Sequence, residues 1–124
     1  MIKLIKLILV LIIYTSFTSL CFAAQSFGGW VAQIETRSSG YDAIYISAYG
    51  DYSKKNLLDF PDEGCDLKDR GIIRETDPGA KTMLRAVFMA YDKTSTTFVR
   101  VDGCTPITPD VATTAPRIVA IHIY

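Results

Sequence analysis

One stretch of this chain, 77–93 (DPGAKTMLRAVFMAYDK), carries the spacing of an amphipathic helix, and nearly all the regular pattern around it has a period of two. Ala80, Met83, Leu84, Val87, Phe88 and Tyr91 recur at the i, i+3, i+4, i+7 spacing of a core-facing stripe, with Lys81 and Arg85 opposite. Asp77 is placed to cap the helix, and Pro78 suits its first position, where a missing N–H costs nothing. The alternating runs are 29–37, 42–50 and 70–76 before the helix, and 95–103 and 117–124 after it. The first two read as a hairpin across SSGY, and Leu57–Phe60 is a candidate short strand. Trp30 shares its strand face with Ala32 and Ile34 and reads as core or interface.

The predicted order is β-β-β-α-β-β in a mainly β chain. A single helix cannot cover both faces of an open sheet in about 100 residues. A closed five-stranded barrel of the OB type, with the helix plugging one end, is therefore favoured over a flat two-layer α+β sheet.

The chain starts with MIKLIKLILVLIIYTSFTSLCFAAQ. Lys3 and Lys6 precede an apolar stretch over Leu7–Ile13, and small residues Cys21 and Ala23 flank a cut after Ala23. That is the pattern of a secretory signal peptide over 1–23, and the apolar part is shorter than the roughly 20 residues of a membrane span. The alternatives are a retained anchor and a lipoprotein cut before Cys21, against which bulky Leu20 counts. Cleavage leaves one domain, 24–124, outside the cytoplasm, periplasmic or secreted, with no membrane insertion.

Cleavage also removes two of the 13 Lys+Arg and none of the 13 Asp+Glu, leaving a net charge of −2. That balance argues against nucleic acid as a partner. Of the three cysteines, Cys65 and Cys104 remain. An even count in a small exported domain reads as a disulfide, and two thiols allow one internal connectivity.

His122 is the single histidine and lies in an alternating run; no CxxC or HxxxH spacing occurs. No metal site, cofactor or catalytic set can be assembled around it, so a non-enzymatic protein is expected. Acidic residues crowd one loop, Asp59, Asp62, Glu63, Asp66 and Asp69. Their spacing is not that of a calcium loop, and Lys68 and Arg70 are interleaved, so a solvated loop is the better reading. Tyr41, Tyr45, Tyr49 and Tyr52 gather along the second strand and its exit, beside Lys54 and Lys55. Flat aromatic faces with polar tips suit sugar rings and protein interfaces, which makes these four the candidate contact surface.

The succession GWVAQIET, AIYISA, a loop cysteine, RGIIRETDPGAKTMLRAVFMAYDKTSTTFVRVDGC and PRIVAIHIY resembles small exported bacterial proteins related to the B subunit of subtilase cytotoxin. The resemblance spans essentially the whole chain after the signal. It implies an OB-like barrel with a Cys65–Cys104 disulfide. In toxin members it also implies a homopentamer that binds sialylated cell-surface glycans and carries a separate A subunit. Those members use a serine at the start of the first strand; Gly28 falls there, with Ser26 two residues earlier, so no sugar contact transfers. Two functions follow as expectations: a self-associating glycan-binding module, or a monomeric periplasmic accessory or inhibitor protein with a protein partner.

Overall fold

The computed structural model describes residues 25–124. The signal peptide expected over 1–23 lies outside the described residues. The elements are β1 (Gln25–Glu35), β2 (Tyr41–Ser47), β3 (Gly71–Arg74), α1 (Ala80–Lys93), β4 (Thr97–Pro106) and β5 (Thr114–Ile123), so the expected order holds. The strands close a ring in the order β1-β2-β3-β5-β4. β1 closes it by changing partner midway. Gln25–Gly29 pair antiparallel with Thr97–Val101 of β4, and Trp30–Glu35 pair antiparallel with Ala43–Ser47 of β2. The joint between β3 and β5 is parallel and rests on one pair, Ile72 with Arg117. No helix among the described residues is long and apolar enough to cross a membrane.

Alternation decides what fills the ring. Val31, Ile44, Ile46, Ile73, Val99, Val101 and Ile118 point inward, all essentially inaccessible. Phe60 joins them from the loop after β2, and α1 adds Ala80, Val87 and Ala90. Each fully buried aliphatic side chain contributes about 1.5–3 kcal/mol, which makes this layer the main source of stability.

β2 is buried on both faces. Its outward Ala43 and Tyr45 form a second cluster with Ile72 and Ala115, flanked by Tyr41, Leu67 and Ile107. The loop of 61–70 covers that face. Asp66 receives hydrogen bonds from the backbone N–H and the hydroxyl of Thr114. Leu67 donates its N–H to the Thr114 carbonyl. The Cys65–Cys104 disulfide fixes the loop to β4, with its Cα atoms 5.6 Å apart.

Several expectations are corrected. Asp77 does not cap α1: the N-cap is Gly79, in the left-handed region at φ 75°, with no side-chain cap. The Asp77 carboxylate is engaged elsewhere, by Arg74 at 3.4 Å and Arg117 at 2.9 Å, and it is only 10% exposed. It therefore ties β3 to β5 beside their single-pair joint. Replacing Asp77 with Asn should lower stability by about 1–2 kcal/mol, because the two guanidinium groups are partly solvated and absorb some of the loss. Urea unfolding measures it; no change would show that the bridge is incidental.

The helix stripe is also rotated from the expected one. Phe88 and Tyr91 are 45% and 41% exposed, while small Ala90 faces the core. An alanine lets the helix approach the ring more closely than an aromatic could.

β4 continues past the expected end at 103, and Gly103 (φ 66°) sits in a register irregularity between Val101 and Cys104 rather than in a terminal turn. Cys104 is thus a strand residue. β5 begins at Thr114, three residues early, because Thr105 and Pro106 still find partners in Ala115 and Thr114. β2 stops at Ser47, before the turn in which Asp51 donates its N–H to the Ala48 carbonyl. The candidate strand at Leu57–Phe60 is a single bridge, Ser47 with Leu57.

Candidate functional site

The four candidate tyrosines separate into two pairs. Tyr41 and Tyr45 belong to the covered outer face of β2. Tyr45 is buried, donates a hydrogen bond to Glu35 Oε2 at 3.3 Å, and lies under the Arg70 guanidinium, 5.2 Å from the ring centre. Burial pushes the Tyr45 phenol up. The hydrogen-bonded Arg37 guanidinium holds the Glu35 carboxyl below the usual carboxylate range. Arg74 stands 5.9 Å from the Tyr41 ring. These two tyrosines are tied into packing and charge.

Tyr49 and Tyr52 behave differently. They project from the loop after β2 and are 71% and 86% exposed. Both meet Trp30 edge to face, with ring centroids 5.5 and 4.9 Å away. Trp30 points out of the ring, yet is only 6% exposed, because this loop lies over it. The loop is braced by the Asp51 carboxylate, which accepts from the Ser53 and Asn56 amides. Lys54 braces it from the other side, 4.3 Å from the centre of the Tyr91 ring on α1.

Beside this aromatic group runs a groove of about 360 Å³ lined by Gly28, Gly29, Tyr49, Thr96 and Phe98. Its floor is glycine backbone and its walls are rings. Phe98 lies directly across Gly28: a Cβ on Gly28 would sit 2.8 Å from the ring. The Phe98 face continues over β4 and β5. There Phe98 meets Tyr124 edge to face at 5.5 Å, and the His122 ring stacks on Tyr124 at 4.4 Å. A second hollow of about 420 Å³ lies on that side, with Ser26 and Arg100 among its lining residues. The two volumes fall in the lower part of the about 300–1,000 Å³ range of small-molecule sites.

The strand pattern accounts for the arrangement. Thr97, Val99 and Val101 fill the inside, so Phe98 and Arg100 must face out. Phe98 is paired with Gly28 on one side and His122 on the other, so all three share one face. The sequence reading singled out Tyr49 and Tyr52 but not Phe98, Gly28 or Tyr124. Two signals were present: a Gly-Gly pair inside a strand marks close approach of another group, and an aromatic at an outward position marks a contact surface.

Three of the five acidic loop residues make separate local bonds, while Glu63 Oε1 is buried without a hydrogen-bond partner. Asp62 pairs with Lys68 at 3.1 Å, Asp69 with Arg70 at 2.9 Å, and Asp66 binds Thr114. Among the described residues no group of three or more His, Cys, Asp or Glu is placed to hold a metal ion. Compared with known proteins, the chain matches no family model, no curated protein and no solved structure.

Proposed function

We propose that the protein is an exported, non-enzymatic binding module built on an OB-like barrel, and that the glycine-floored groove between Tyr49 and Phe98 receives a sugar ring of a cell-surface glycan. The observation that carries this reading is the groove itself. Exposed aromatic rings stand beside glycines that carry no side chain, so a flat ligand ring can lie against π-faces. Aromatic faces and backbone line it, rather than an acid–base pair, which favours holding a ligand over transforming one. The resemblance in sequence order to the subtilase-cytotoxin B subunit supports the barrel type, the export and the glycan class. It also brings the further proposal of a separate A subunit.

Trp30 is the chain's single tryptophan and touches Tyr49, so its emission reports on the groove directly. Screening the purified protein on a glycan array, then titrating the hits against Trp30 fluorescence, should give saturable changes. Tyr49→Ala and Phe98→Ala should each weaken the hits by about tenfold, the loss expected for one stacking wall. Tyr41→Phe, on the covered face, should leave affinity unchanged. An array without hits, or hits indifferent to both groove substitutions, would sink the reading.

A further inference from the structure

α1 leaves large apolar side chains open to solvent in its C-terminal half. Phe88 and Met89 are 45% and 55% exposed, and Tyr91 beside them is 41% exposed. The hollow flanking this helix is lined by Ile34, Phe88, Tyr91 and Asp92, so the apolar surface extends onto β1. Phe88 and Met89, adjacent on the solvent side of the helix with Tyr91 on the flank beneath Lys54, are more than single scattered exposure accounts for.

The charges around this patch indicate what covers it. Arg85 and Asp92 are seven residues apart, which on a helix places them in one line on the same side, running between Phe88 and Met89. Among the described residues neither is part of an ion pair within the chain. The midpoint between Phe88 and Met89 is also the midpoint between Arg85 and Asp92. Each charge therefore lies about 5 Å along the axis from a common centre, on opposite sides of it. A second α1 laid antiparallel about that centre would bring its Asp92 over Arg85 and its Arg85 over Asp92, with both Phe88–Met89 pairs between them. This is the self-complementarity that a two-fold contact requires.

We infer that the exposed face of α1 is a two-fold self-association surface, on which a second copy of this chain packs its own α1 antiparallel, with Phe88 and Met89 at the centre and reciprocal Arg85–Asp92 pairs at the ends. The inference does not use the groove and stands whether or not a glycan binds there. One pair of helices with the β1 rim is small beside the about 1,200–2,000 Å² of a stable interface, so the dimer is weak and concentration-dependent.

Light scattering and sedimentation of the purified protein over about 1 µM to 1 mM, the range in which weak interfaces dissociate, should give a mass rising from one chain toward two. Arg85→Asp or Asp92→Arg alone places like charges at both ends of the contact and should weaken the dimer at least about tenfold. The combined Arg85→Asp/Asp92→Arg protein restores opposite charges in reverse and should dimerise again. Phe88→Ser should abolish the dimer, with an unchanged circular dichroism spectrum showing that the fold survives. A single-chain mass throughout the range overturns the inference. So does a larger ring of fixed mass, or an association that ignores the single charge reversals or is not rescued by the double one.

Discussion

Replacing Cys65 and Cys104 together with serine should destabilise the protein by about 4 kcal/mol, the chain-entropy value for releasing a closed loop of about 40 residues. The bridge joins residues 39 apart in sequence, and the segment it closes includes β3 and α1. It also anchors the loop that covers Ala43, Tyr45 and Ile72, a layer that would otherwise be an exposed sheet face. Stabilities of single domains run to about 5–15 kcal/mol, so the loss is a large share of the total. Urea unfolding of the oxidised and double-serine proteins measures it as a fall in midpoint. A difference under about 1 kcal/mol would mean that the Asp66–Thr114 bonds hold the loop without help. Because Gly28 and Tyr49 lie on other elements and Phe98 sits at the opposite end of β4 from Cys104, ligand binding at the groove should persist wherever the double-serine protein is still folded.

The second large effect is expected at Gly29. A Cβ there would overlap the Ser47 carbonyl oxygen and come within 2.7 Å of Ile46 Cγ2. Gly29 is the last residue of β1 paired with β4, and Trp30 is the first paired with β2. The clash therefore falls where the strand changes partners. A flexible side chain could turn aside, but a backbone carbonyl can yield only by moving β2. Gly29→Ala should accordingly cost about 3 kcal/mol, the upper part of the range for overpacking. In a domain this size that lowers the thermal midpoint by more than about 10 °C. Gly50→Ala separates crowding from backbone conformation, since Gly50 has a left-handed φ of 85° and open space around its Cβ position. If Gly29→Ala costs no more than Gly50→Ala, the close approach at Gly29 is not what requires a glycine.

Much of the architecture is legible in the sequence because periodicity is a local property. Each of the five alternating runs becomes a strand, and the one 3.6-periodic segment becomes α1. The disulfide follows from counting thiols. What a local pattern cannot carry is competition among distant partners. Asp77 has the chemistry of a helix cap, but its carboxylate is taken by Arg117, 40 residues away. Gly103 looks like the end of a strand, yet the β5 segment downstream keeps β4 paired to Pro106. The tyrosines form one group when counted along the chain and two groups in space. Tyr45 faces a loop that the disulfide holds down, while Tyr49 lies beyond the end of β2 over Trp30. The groove wall opposite Tyr49 is Phe98, about fifty residues away along the chain. A site assembled from β1, β4 and a loop becomes visible only once the ring is closed.

The partner change within β1 also bears on how the chain acquires its shape. β1 is the first of the described elements, and half of its hydrogen-bonding partners lie in β4, with Gln25 paired to Val101. Until that late segment arrives, β1 can form only its hairpin with β2, and its first five residues present an unpaired edge. Contacts of such long sequence separation are slow to form, and an unsatisfied strand edge is where chains pair with the wrong neighbour. The same delay applies to the thiols, because Cys104 lies on the strand that closes the ring. Ring closure and thiol pairing thus both wait for β4, and the interval before it arrives is when the open edge of β1 is exposed to wrong pairing.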